Sequence, residues 1–118
     1  MSTDISGLGE IAGFIGACLV DSDTGLMLAS EQGSAKFDLE AAGAANTEVV
    51  RAKNAAIQAL GLKDAIEDIL ISLGTQYHLI RPLQANPAVF IYVALDRKTS
   101  NLGMARLKVK TVEGELKV

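Results

Sequence analysis

The stretch Ala88–Leu107, AVFIYVALDRKTSNLGMARL, decides how this chain is read. An unbroken apolar run, Ala88 to Leu95, meets the charged turn Asp96-Arg97-Lys98, then Thr-Ser-Asn, then a helix opening Asn-Leu-Gly-Met-Ala-Arg. A strand covered on one face alternates apolar and polar residues. This one does not, so it is expected at the centre of a sheet with both faces buried. Thr99 or Ser100 is placed to cap the helix, because a short side-chain oxygen accepts a free N–H of the first turn.

Upstream, Tyr77 to Leu83 and Asp64 to Leu73 read as two further strands, joined by the turn Gly74-Thr75, with Pro82 suited to a strand end. In the earlier one Glu67, Ile69, Ile71 and Leu73 share a face. Asp38 caps a long helix that runs to about Leu60, and Gly61 ends it. Glu31 to Phe37 is a loop. Phe14 to Val20 and Leu26 to Ser30 form a hairpin around Asp21-Ser22-Asp23-Thr24-Gly25, with Gly25 supplying positive φ. Ile5, Leu8 and Ile11 fall at helical spacing, so Ile5 to Ala12 reads as a short helix. The order is α-β-β-α-β-β-β-α. Every strand-to-strand link is short, which predicts a five-stranded antiparallel sheet with helices on both faces, an α+β fold.

The 118 residues are read as one domain, 1–118, long enough for its own core. Nearly half are apolar, yet only five are aromatic and none is Trp, so the core is expected to be aliphatic and alanine-rich. No run reaches the roughly 18 apolar residues of a membrane span. Ile11 to Val20 lacks a basic leader and is interrupted by Gly13 and Gly16, so a strand is expected there and not a signal peptide. One cysteine and no secretory signal predict a reducing cytoplasm. The net charge of −3 conceals an asymmetry: residues 1–96 hold five basic and twelve acidic side chains, residues 97–118 six basic and two acidic. That density is too low for nucleic-acid or lipid affinity, and the lysines of the last helix are expected to serve its dipole.

On a helical wheel, residues 38–60 divide into three sectors. Leu39, Ala42, Val49, Val50, Ile57 and Leu60 are expected on the sheet, with Asn46 and Lys53 among them. Lys53 is expected to run its stem to the edge. Ala41, Ala45, Ala52, Ala56 and Ala59 form a stripe almost without side-chain bulk, with Glu48 at its border. Alanine lets helix axes approach to the short end of the roughly 8–10 Å range, so a second copy of this helix would fit there. Glu40, Thr47, Arg51, Asn54 and Gln58 form the polar remainder. Asp64–Leu73 would be an edge strand, and two such strands pairing across a two-fold axis would remove that edge.

Sequence motifs for chemistry fail on inspection. Asp23-Thr24-Gly25 matches the triplet of aspartic proteases, whose small retroviral type works as a homodimer with two carboxylates sharing a proton. Asp21-Ser22 replace the apolar residues that should precede it, and no small all-β protease accommodates the long helices. A calcium loop would need Gly where Leu26 stands and Glu where Gln32 stands. Gly7, Gly9 and Gly13 do not follow a strand, so they are no dinucleotide fingerprint. One His and one Cys make no metal cluster; Cys18 reads as a buried inert thiol and His78 as structural. No catalytic residue, metal or other cofactor is expected.

The residues also carry a resemblance. Gly13-Phe-Ile-Gly-Ala-Cys-Leu-Val-Asp with Gly25-Leu-Met-Leu-Ala, and Val89-Phe-Ile-Tyr-Val-Ala-Leu-Asp with Ser100-Asn-Leu-Gly-Met-Ala-Arg, resemble the first hairpin and the last strand and helix of the roadblock family of dynein light chains and their prokaryotic relatives. These domains are similar to longin and profilin-like folds. The resemblance covers nearly the whole chain. It implies a homodimer through the long helix and third strand, hence Ala41, Ala45, Glu48, Ala52, Ala56, Ala59, Ile69 and Ile71 at the interface. It also implies a small Ras-like GTPase as partner, served by an adaptor that is itself no enzyme. Glu40, Thr47, Arg51, Asn54 and Gln58 would form the partner surface, with Arg106, Lys108 and Lys110 of the last helix next in line. A dynein-associated scaffold and a profilin-like ligand sensor are the alternatives. No nucleic acid or membrane partner is expected.

Overall fold

The computed structural model describes residues 2–34 and 36–118. Of the loop expected over Glu31–Phe37, Ala35 lies outside the described residues. The elements are a 3₁₀ turn (Ser6–Glu10), β1 (Phe14–Asp21), β2 (Leu26–Gln32), α1 (Leu39–Ala59), β3 (Ile69–Ser72), β4 (Gln76–Pro82), β5 (Val89–Asp96) and α2 (Leu102–Glu115). The five strands form one antiparallel sheet in the order β2-β1-β5-β4-β3.

β5 is the central strand, as its missing alternation required. Val89, Ile91, Val93 and Leu95 join the core beneath α2 and the 3₁₀ turn, with Ala105, Val109 and Val112. Phe90, Tyr92 and Ala94 join the opposite core beneath α1, with Leu39 and Val50. β1 divides the same way, Ala17 and Leu19 to one side, Cys18 and Val20 to the other. β2, at one edge, alternates exposed and half-buried residues.

α1 starts and stops as its signals dictate. The Asp38 carboxylate accepts from Ala41 N at 3.0 Å, and Gly61 at φ +67° turns the chain out of the helix. The buried stripe is rotated from the expected one. It comprises Leu39, Gly43, Thr47 and Val50, while Leu60 is 69% exposed. The cause is Gly43. A Cβ built there would lie 2.9 Å from Val20 Cγ2 and 3.4 Å from Cys18 Sγ, so the helix comes down on β1 at its bare residue. Thr47 follows it into the interface, its hydroxyl donating to Gly43 O at 2.9 Å. Asn46 donates to Ala42 O at 2.8 Å, which explains an amide on this flank, and Lys53 is exposed. Gly43→Leu is expected to lower stability by about 1–3 kcal/mol, because the added bulk meets a β-branched side chain that cannot yield without backbone movement. Urea unfolding of the variant measures it.

Four further expectations need correction. The first helix is only a 3₁₀ turn, although Ile5, Leu8 and Ile11 are all buried; Gly7 and Gly9 weaken any α-helix there. β3 is shorter than Asp64–Leu73: pairing with β4 starts at Ile69, opposite Ile80, and the Asp68 carboxylate just before it is held by the Arg106 guanidinium through two 3.1 Å bonds. α2 is capped by Asn101, whose Oδ1 accepts from Met104 N at 3.0 Å, while Thr99 donates to Asp96 Oδ2 at 2.7 Å. The last turn of α2 contains no basic residue, so its lysines do not serve the helix dipole.

Candidate functional site

β3 hydrogen-bonds to β4 alone, and its outer edge has no strand beside it among the described residues. Ile69 and Ile71 pack onto the α1-side core yet remain half-buried. On α1, Val49, Ala56 and Ile57 are half-buried as well, and Leu60 and Leu62 beyond them are 69% and 53% exposed. An open strand edge thus runs beside incompletely covered apolar side chains. Isolated exposed leucines are ordinary; an open edge with a half-covered face is what pairing uses.

The rotation of α1 places the alanine stripe on the helix face away from the sheet. Ala41, Ala45, Ala52 and Ala59 are exposed with Glu48, and only Ala56 is half-buried. Ala44 and Ala55, absent from the expected stripe, are exposed too and broaden it. Among the polar residues, Glu40, Arg51, Asn54 and Gln58 are exposed. Thr47 is not: at 2% exposure it lies against the sheet, and it leaves the partner surface. Arg51 is not free either. Its Nη2 donates to Ser22 O at 2.7 Å and Asp23 O at 3.1 Å, and its Nη1 to Glu48 at 3.1 Å. The guanidinium fastens α1 to the β1–β2 turn while half of the side chain stays accessible.

That turn is what became of the protease-like triplet. Asp21 Oδ1 accepts from Asp23 N at 2.9 Å, Thr24 Oγ1 from Leu26 N at 3.2 Å, and Gly25 has φ +76°. Among the described residues no three His, Cys, Asp or Glu side chains are grouped to hold a metal, and no helix is long and apolar enough to cross a membrane.

The titratable groups under α1 are satisfied. His78 Nε2 lies 2.7 Å from Gln76 Oε1, and its Nδ1 3.3 Å from Tyr92 OH, the two rings meeting edge to face. Burial pushes the Cys18 thiol up to about 12, and Tyr92 up as well, so neither is a nucleophile near neutral pH. Burial lowers the His78 pKa, which sets a pH dependence. The unfolded chain takes up a proton near the ordinary value of about 6.5 and the folded chain does not. The stability contribution is therefore complete above that value and is lost as pH falls through the lower folded-state value. His78→Gln is expected to flatten the dependence of the urea midpoint between about pH 7 and pH 5.

One site residue carried no signal in the strand pattern. Arg81 sits within the otherwise apolar end of β4, 9% exposed, its Nε donating to Glu113 of α2. A charged residue inside a buried strand demands a partner, and that rule alone would have singled it out.

No family model matches the sequence, and no curated protein is significantly similar to it. Solved structures are similar in fold. Myxococcus xanthus MglB aligns over 92% of this chain and 84% of its own, with a TM-score of 0.78 at 18% identity. A Roadblock/LC7 domain from Streptomyces avermitilis aligns over 93% and 88%, with a TM-score of 0.79 at 14% identity. An MglB solved in a tetrameric arrangement aligns over 92% and 79%, with a TM-score of 0.78 at 16% identity. At these identities the likeness concerns the fold, and the chain has the Roadblock/LC7 fold.

Proposed function

From this fold we propose that the chain is a non-enzymatic homodimeric adaptor that binds a small Ras-like GTPase. The observation that carries the reading is the open edge of β3 beside the half-buried Ile69 and Ile71. Pairing two β3 strands about a two-fold axis satisfies both edges at once and makes one continuous sheet. It also puts both α1 helices on one side of that sheet. A close contact between them through the outward-facing Ala41, Ala45, Ala52, Ala56 and Ala59, with Glu48 between them, requires the two helices to tilt toward each other. An MglB arranged as a tetramer is a precedent for self-association on this fold.

Glu40, Arg51, Asn54 and Gln58 remain exposed beside that contact. Doubled by symmetry, they offer a polar platform on the scale of a standard interface, about 800 Å² per partner. Mixed polarity suits a contact that forms and releases. Among these residues Arg51 is the type most often found at energetic centres, and its bonds to Ser22 and Asp23 already fix its rotamer.

The test titrates the source organism's small Ras-like GTPases, in both nucleotide states, against the wild type and against Arg51→Glu and Glu40→Lys. Binding by the wild type and a loss of about tenfold or more in either variant support the reading. Affinity unchanged by both reversals removes this platform, and no binding to any of those GTPases removes the adaptor reading.

A further inference from the structure

Arg81 is the one charged residue that is buried as a whole among the described residues. Its Nε donates to Glu113 Oε1, and Glu113 Oε2 accepts from Gln84 N at 2.8 Å, so both carboxylate oxygens are engaged. The remaining four N–H bonds of the guanidinium have no acceptor among the described residues. They are not sealed in the core: Arg81 lines a groove of about 440 Å³ at the end of β4. Ile66, Pro82, Leu83 and Pro87 form its apolar walls, and Lys110 of α2 stands at the lip without an ion pair among the described residues. The Asp68–Arg106 bonds hold the chain segment that closes the other side.

We propose that this groove binds a carboxylate carried on a small apolar group. The planar guanidinium presents parallel donors matched to a carboxylate, and a fork already anchored through Nε loses little freedom in using them. A donor in these surroundings of low dielectric binds more strongly than one in water. Lys110 adds a second cation, while Glu113 and Glu67 bring the local charge to zero, so the free guanidinium N–H bonds and not a net positive charge hold the anion, which favours a singly charged carboxylate over a doubly charged phosphate. The apolar walls suit an aliphatic body, and the volume leaves room for one larger than a leucine side chain. A free carboxylic acid and the C-terminal residue of a peptide present the same chemistry. The proposal is independent of the pairing through β3.

The experiment titrates N-acetyl-leucine into the isotopically labelled full chain and follows the Ile66 and Leu83 methyl resonances by NMR. Saturable shifts at these residues are expected. N-acetyl-leucinamide and inorganic phosphate are each expected to bind at least about tenfold more weakly. Arg81→Gln should abolish the shifts. Because that variant also breaks the Glu113 pair, Lys110→Glu repeats the test from the exposed lip, with an expected loss of about tenfold. A hexapeptide ending in Leu with a free carboxylate identifies a peptide terminus if it binds about tenfold tighter than N-acetyl-leucine, and a free acid if it does not. Amide or phosphate binding as tight as the acid, shifts confined to other residues, or an affinity unchanged in Lys110→Glu would overturn the proposal.

Discussion

Glu113→Ala is expected to lower folding stability by about 3–5 kcal/mol, a large part of the roughly 5–15 kcal/mol that holds a domain of this size together. Two partners depend on that carboxylate, the buried Arg81 and the exposed Gln84. The Arg81 guanidinium, with a side chain only 10% exposed, would keep its charge and lose its counterion. The Gln84 N–H would lose its acceptor. The Nε–H of Arg81 points at that carboxylate inside the contact between α2 and the end of β4, and only its other N–H bonds face the groove. The pair as a whole is a different matter, since desolvating two ions offsets most of their attraction. The double variant Arg81→Met with Glu113→Leu is therefore expected to recover most of the loss. Urea unfolding of the three proteins at one pH measures both effects. A loss below about 1 kcal/mol in Glu113→Ala would mean that water in the groove compensates the guanidinium for the lost carboxylate and that the pair behaves as a surface contact.

The sequence shows the fold where burial is symmetric and local. β5 had to be central because nothing in Val89–Leu95 is polar, and its residues do divide between two cores. Asp38 and Gly61 mark the ends of α1 through chemistry confined to a few residues. The errors arise where tertiary contact overrides a local rule. A helical wheel assigns faces by hydrophobicity, so it ranks Thr47 as polar and Gly43 as nothing. In the fold the absence of a side chain at Gly43 sets the rotation of α1, and Thr47 is buried because its hydroxyl finds a carbonyl within its own helix. Arg51 was legible as an exposed arginine but not as a clasp on the β1–β2 turn, since its acceptors lie 28 and 29 residues away. The groove at Arg81 was illegible for the same reason. It is assembled from α1, the segment before β3, the β4–β5 loop and α2, and no window of sequence contains it.

Ala52→Glu is expected to weaken the proposed homodimer by about a hundredfold or more while leaving the protomer folded. Ala52 is exposed on α1, on the face away from the sheet, and glutamate is a good helix former, so the isolated protomer has no reason to change. In the dimer the same position would lie where two α1 helices approach closely over alanine. Two-fold symmetry places both new carboxylates in one contact, each desolvated and each facing a like charge. Glu48, one turn away on the same face, adds to the repulsion. A combined cost near 3 kcal/mol corresponds to the hundredfold change. Lys98→Gln, an equal charge change on the turn before α2, is expected to leave assembly intact. Sedimentation equilibrium across a range of concentrations distinguishes the cases, and circular dichroism establishes that the helices remain. A wild type that stays monomeric at the highest concentration would remove the homodimer altogether. A dimer equally tight in Ala52→Glu would separate the β3 edge from α1, leaving strand pairing without helix contact.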